Sequence, residues 1–353
     1  MITALAAIFV LGILVFFHEL GHFLVAKRVG IRVDRFSLGF PPTIIARTFG
    51  KTEYCIGAIP LGGYVKMAGE NPDEDATGAP DEFMSKSKLA RAAVVLAGPV
   101  MNFILAWLVL WGLFLFNGEA TVDPNKAVIG EVSAGTPAEK AGLKPGDVII
   151  SLNGMPIGPF ADLSRITAQV VEQPLTIVWL RGGAEMSATV TTLSEQALDD
   201  TGKKITKGIL GVRPQIEYIR WGIFGSAWRG LTESVDFVRK MVLFVRDLVS
   251  FKISPKLIGG PVFIVQVAGQ TAQMGFAALL YFMAFLSVNL TVINVLPIPI
   301  LDGGHLLFLV IEKIKGSPLT IGQRVVALKI GLVFLLLVIV MVTYNDIMRF
   351  FTG

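Results

Sequence analysis

Four stretches of the chain are almost continuously apolar, and each is close to the ~20 residues a helix needs to cross a bilayer. They run from Met1 to about Ala26, from Ala92 to Phe116, from about Met274 to Leu296 and from about Val325 to Tyr344. The first lacks a basic leader and a small-residue cleavage site, so it reads as a retained helix and not a signal peptide. Between the second and third stretches the pattern becomes that of a soluble domain. Residues 127–155 predict a short strand, a small-residue helix starting near Pro137, a Gly- and Pro-punctuated turn and an apolar strand. Leu175–Leu180 and Ala188–Leu193 predict further strands. From Trp221 to Phe251, Phe224, Trp228, Leu231, Val235, Val238, Val242, Val245 and Leu248 recur three or four apart, with Arg229, Arg239, Lys240 and Arg246 between them. That spacing predicts an amphipathic helix, suited equally to a membrane surface and to packing against the protein's own domains.

Charge orients the spans. Lys27, Arg28, Arg32 and Arg35 follow the first span, and nothing basic precedes it. The excess of positive charge on cytoplasmic loops therefore puts the N-terminus outside and residues 27–91 inside. Residues 118–270 and the C-terminus then lie outside, and the loop holding Lys313, Lys315 and Arg324 lies inside. Of the 353 residues, 53% are hydrophobic and 16% charged, against about 25% charged in soluble domains, so lipid solvates much of the chain. The net charge of +4 raises the question of nucleic acid. The basic residues are scattered and flank apolar segments, so no nucleic acid partner is expected. The single cysteine, Cys55, excludes an intrachain disulfide and a cysteine-based metal site.

Two of the three histidines stand in His18-Glu19-Leu20-Gly21-His22. Four residues apart on a helix, both imidazoles reach one ion, and Glu19 is left free to hold a water. Such polar groups are costly near the end of a membrane helix, which argues for a functional role. A catalytic zinc takes three protein ligands and keeps one position open. The third is expected in the segment from Asn294 to His305, where Pro297 and Pro299 must break the third span. Asp302 and His305 are both candidates there. The charge-based topology puts this segment and the two histidines at the same, cytoplasmic, depth. A catalytically silent scaffold would not need this complete set. A zinc transporter would need polar residues on several spans, and the second and fourth offer almost none.

The HExxH span, the Asn294-x-x-Pro297-x-Pro299-x-Leu301-Asp302-Gly303-Gly304 segment and the insertion between them resemble the site-2 protease family, most closely its bacterial regulator-of-sigma-E protease branch. The insertion's Ser133-x-Gly135-Thr136-Pro137-Ala138-x-x-Ala141-Gly142-Leu143-x-x-Gly146-Asp147 run resembles a PDZ domain of bacterial proteases. That branch often carries two PDZ domains, whereas this stretch has room for one. The resemblance implies one zinc ion per chain held by His18, His22 and Asp302, with Glu19 as general base and Asn294 holding substrate or the oxyanion. Ile59–Met67 resembles the family's membrane-associated β-hairpin, making Gly62, Gly63 and Tyr64 candidate substrate-binding residues. Gly98-Pro99-Val100-Met101-Asn102-Phe103 resembles a family segment packed near the active site, and helix packing is the first reading of Gly98 and Asn102.

The expected fold is a polytopic α-helical membrane protein of about four transmembrane helices, with the β-hairpin region and one inserted extracytoplasmic PDZ domain. Its parts are residues 1–117 (HExxH helix, hairpin loop and second span), 118–196 (PDZ domain), 197–270 (linker with the amphipathic helix) and 271–353 (third and fourth spans). The implied enzyme is a zinc metalloendopeptidase of the bacterial inner membrane, with both termini and the PDZ domain outside and the active site toward the cytoplasm. Its implied partners are the lipid bilayer and transmembrane protein or peptide substrates. These are single-span proteins such as anti-sigma factors, trimmed first by a site-1-type protease, or remnant signal peptides.

Overall fold

The computed structural model describes residues 2–70, 77–199 and 203–352. The chain opens with helix α1 (Ile2–Arg28), the long strands β1 (Val33–Phe49) and β2 (Thr52–Met67), and helix α2 (Lys88–Phe116). It then enters a β-rich stretch of β3 (Glu119–Thr121), β4 (Ala127–Val132), α3 (Pro137–Lys140), β5 (Val148–Leu152), β6 (Met155–Pro156) and α4 (Phe160–Gln169). This continues through β7 (Pro174–Arg181), β8 (Ala184–Thr191), β9 (Leu193–Leu198), β10 (Lys204–Ile209), β11 (Val212–Pro214) and β12 (Glu217–Ile219). The helices α5 (Ile223–Val249), α6 (Pro261–Met274), α7 (Phe276–Val295), α8 (Asp302–Lys315) and α9 (Ile321–Thr352) follow. Two units result: Met1–Phe114 with Ile223–Val249 and Ile258–Gly353, and Leu115–Gly222 with Ser250–Leu257.

In the helical unit, α1, α2, α7 and Ile321–Arg349 of α9 are long and apolar enough to cross a membrane. Ala6, Ala7, Val10 and Leu14 of α1 pack with Leu105 of α2, Ala268 of α6, and Leu279 and Met283 of α7. A second core joins Ala106, Leu110, Leu113 and Phe114 of α2 to Phe237 of α5 and to Ala284 and Val288 of α7. Helix α5 thus packs inside the unit through Ser226, Gly230, Ser234 and Phe237. A Cβ at Gly230 would lie 2.8 Å from the Trp111 nitrogen, and the Trp107 indole donates to the Ala227 carbonyl at 2.9 Å. Small residues permit this close approach. Glu312 of α8, fully buried, holds α2 and α9 together: it pairs with Arg91 at 3.1 Å and also with Arg324, while Lys88 reaches its carbonyl.

Strands β1 and β2 are antiparallel, with an irregular register. Arg35, Phe36, Ser37 and Leu38 each pair on both sides, with Glu53–Ile56 and with Gly63–Lys66. The expected hairpin over 59–67 is therefore one arm of a larger ribbon. Among the described residues no strand pairs with the other edge of Gly63–Lys66.

In the β-rich unit the sheet order is β11-β4-β5-β7-β8, with β6 on β5. Its core is built from Ile129, Ile149, Leu152, Leu163, Leu175, Ile177, Trp179 and Leu210. Because Val212 pairs with Val132 and Leu210 is buried, the sheet needs residues beyond 196. The β-rich unit thus runs past 196, and the stretch 197–270 is divided between the two units. That stretch supplies β10, β11 and β12 to the β-rich unit, then α5 and the first ten residues of α6 to the helical one.

Candidate metal centre

His18 and His22 project from one face in the second half of α1 and are 9% and 8% exposed. That face meets α2 where neither helix has a side chain to hold them apart. A Cβ at Gly21 would overlap the Ala97 carbonyl oxygen. One at Gly98 would overlap His22 Nε2 and lie 2.8 Å from His18 Cε1, so both imidazoles rest on bare backbone. His22 Nδ1 donates to the Val94 carbonyl at 2.8 Å. This puts the ring hydrogen on Nδ1 and leaves Nε2 with a free lone pair.

Asp302 comes from the opposite end of the unit's sequence. Helix α7 stops at Val295, the chain passes Pro297 and Pro299, and α8 begins at Asp302. Prolines remove the donors a continuous helix requires, and a carboxylate suits the first turn of a new one. The turn is tight enough to demand glycine. A Cβ at Gly303 would overlap the Val295 and Leu296 carbonyl oxygens, and one at Gly304 would overlap the Ile298 carbonyl.

These elements bring three donor atoms together. His18 Nε2 lies 3.2 Å from His22 Nε2 and 3.2 Å from Asp302 Oδ2, which is 3.6 Å from His22 Nε2. Asp302 Oδ2 is buried and accepts no hydrogen bond. Three lone-pair donors this close repel one another unless a cation lies among them. Tetrahedral zinc with bonds of about 2.0–2.1 Å spaces its ligand atoms by about 3.3 Å, so the donor set fits that ion. Among the described residues His18, His22 and Asp302 form the one group of three or more with metal-ligand geometry.

Glu19 lies among the same three residues and beside the backbone of Val65. A Cβ at Gly63 would stand 3.5 Å from Glu19 Cγ and 2.7 Å from the Ser37 carbonyl oxygen, so β2 runs close over the general-base candidate. Gly62 lies against the Phe40 ring, and the Tyr64 hydroxyl accepts from Arg35 at 3.3 Å. Asn294 sits in the last turn of α7, half-buried, and makes no hydrogen bond to the three ligand candidates among the described residues. His305 turns away from the cluster into a cavity of about 210 Å³ lined also by Glu70, Phe83, Arg91 and Arg324. Burial pushes the Glu70 carboxyl up to about 7. Glu70 and the α2 backbone contacts to the histidines were not singled out by motif. Sequence pattern alone reads Asn102 as a packing residue, whereas its amide nitrogen lies 3.3 Å from His18 Nδ1.

The family model described as "Peptidase family M50" matches residues 6–338. Among curated relatives, an Agrobacterium fabrum protein, named as a candidate zinc metalloprotease, is 36% identical over 96% of this chain and 94% of its own length. The "Regulator of sigma-W protease RasP" of Bacillus subtilis is 32% identical over 99% of both chains. Among solved structures, the PDZ domain of an SdrC-like protein from Listeria monocytogenes aligns with 27% of this chain and 90% of its own, at 17% identity and a TM-score of 0.21.

Proposed function

The chain belongs to peptidase family M50 and is a zinc metallopeptidase; from that premise we propose that it hydrolyses peptide bonds within transmembrane segments, with His18, His22 and Asp302 holding the metal. The observation that carries this reading is the meeting of two imidazole Nε2 atoms and one carboxylate oxygen within 3.6 Å, beside Glu19 and near the end of an apolar helix. Bound zinc supplies a Lewis acid that brings the pKa of a coordinated water toward ~7. Glu19 takes the proton of the attacking water and passes it to the leaving amine. Asn294, at the end of α7, donates its amide to the substrate carbonyl or the oxyanion that forms from it.

A substrate helix hides its amides in its own hydrogen bonds and must unwind before attack. The edge at Gly63–Tyr64, which no other strand pairs among the described residues, offers the unwound segment a partner strand, with Gly62, Gly63 and Tyr64 at the contact. The Bacillus subtilis relative's name links it to sigma-W regulation, which favours an anti-sigma factor, already trimmed by another protease, as substrate here. Remnant signal peptides fit the same site. The β-rich unit is read as a PDZ domain outside the cytoplasm that screens substrates by size or by C-terminus. Replacing residues 119–219 with a short linker should permit cleavage of untrimmed substrates if it screens by size.

The reading is tested by stripping the purified enzyme with a chelator and restoring zinc, with cleavage of a single-span substrate as readout. Cleavage lost on stripping and regained with one zinc per chain is the expected result. Cleavage that survives complete removal of zinc would overturn it.

A further inference from the structure

We propose that Asn102 is a positioning residue that fixes the tautomer of His18 by accepting the hydrogen of its Nδ1; this rests on the zinc reading above. His18 Nε2 faces His22 Nε2 and Asp302 Oδ2, both at 3.2 Å. To bind a metal that nitrogen must be bare, so the ring hydrogen moves to Nδ1 and requires an acceptor. His22 meets the same requirement with the Val94 carbonyl. The side chain facing His18 Nδ1 is Asn102, at 3.3 Å through its amide nitrogen.

Asn102 is fully buried, and its Oδ1 has no hydrogen-bond partner. A buried amide oxygen left unpaired costs about 1–3 kcal/mol. The two ends of an asparagine amide are nearly isosteric, and turning it by 180° exchanges them. The turned amide brings Oδ1 to Nδ1 of His18 and pairs that acceptor, moves the Nδ2 donors to the place Oδ1 leaves, and fixes the ring hydrogen on the nitrogen that does not face the ligand cluster. In the opposite orientation Nδ2 donates to a bare Nδ1, and the ring hydrogen on Nε2 points at Asp302. The amide orientation therefore distinguishes a metal-binding imidazole from one that only hydrogen-bonds to the aspartate.

Backbone contacts hold Asn102 in place. The Ser287 hydroxyl of α7 donates to the Asn102 carbonyl at 2.8 Å, and the Thr291 hydroxyl donates to the Pro99 carbonyl at 3.1 Å. Proline at 99 and glycine at 98 give this turn of α2 its approach to α1. The segment is thus more than a packing surface: it presents one acceptor to each ligand histidine, a backbone carbonyl to His22 and a side-chain amide to His18.

With three histidines in the chain, ¹⁵N-histidine labelling resolves each ring. In detergent, with zinc added, wild-type His18 should show a protonated Nδ1 that exchanges slowly, and Nε2 shifted by the metal. Asn102→Leu, close in shape but without an acceptor, should bind zinc 10- to 100-fold more weakly in chelator competition and lose the slow Nδ1 hydrogen. Asn102→Asp keeps an acceptor at the position and should bind zinc at least as tightly as wild type. Zinc binding by Asn102→Leu at wild-type strength with its Nδ1 hydrogen intact, or a hundredfold loss in Asn102→Asp, would overturn the proposal alone. A wild-type chain whose His18 and His22 resonances do not respond to zinc would overturn the zinc reading and this inference with it.

Discussion

Gly98 and His22 are so close that no side chain fits between them: a Cβ at position 98 would overlap His22 Nε2, the atom that faces Asp302. The contact brings α2 against the helix of the candidate ligands, and it makes the proposed centre sensitive to one methyl group. Gly98→Ala forces the imidazole or the helix to move. It should lower zinc content and cleavage together, by about 100-fold in affinity, the size seen when ligand orientation is disturbed. Metal analysis of the purified variant checks this.

Glu312 pairs with both Arg91 and Arg324 in a buried site, its one negative charge offsetting one of the two guanidinium charges. Removing one partner of a buried ion cluster leaves charge uncompensated, so Glu312→Ala should cost about 3 kcal/mol of stability. Thermal unfolding in detergent reads the loss. Glu312→Gln, which keeps acceptor and donor groups, should lose less.

The edge at Gly63–Val65, which no other strand pairs among the described residues, predicts a backbone effect. Proline at Tyr64 or Val65 removes one amide donor at a time; the Val65 N–H also bonds the Glu19 carboxyl, so a loss of at least about tenfold in cleavage of a membrane substrate reads both contacts at Val65 and the strand alone at Tyr64. Zinc content should stay unchanged. Full cleavage by both variants would remove strand addition from the mechanism.

Asp147 of the β-rich unit gives a pH dependence. Burial pushes its carboxyl up, but hydrogen bonds from the Arg181 guanidinium and the Lys144 amide, each near 2.8 Å, hold it below the usual carboxylate range. A lowered pKa stabilises the folded state above the ordinary aspartate value of about 3.9, and this is lost as pH falls through the lower native value. Asp147→Asn should raise amide exchange across β4, β5 and β7 by at least roughly tenfold at neutral pH and flatten its acid dependence. Hydrogen-exchange mass spectrometry checks both.

The legible features were local ones. The spacing of His18 and His22 requires only a helix, and the four long helices follow from continuous apolarity. Asp302 was reachable because two prolines announce the break that precedes it. Longer-range features were not. Helix α6 has 14 residues, short of a span, and most of it lies within the expected linker. Strand β11 joins the sheet by pairing with β4, about eighty residues earlier, which no local pattern at 212–214 discloses. The amphipathic spacing of α5 was clear, but only its contacts with α2 and α7 decided which surface it covers. Asn102 looked like a packing residue because its partner, His18, lies 84 residues away.

The central claim is that Glu19 activates water at a zinc held by His18, His22 and Asp302. The most direct test compares wild type with Glu19→Gln on a tagged single-span substrate in detergent, with zinc measured in the same samples. The account predicts one zinc per chain in both proteins and cleavage in the wild type alone. Cleavage by zinc-loaded Glu19→Gln at the wild-type rate would contradict it.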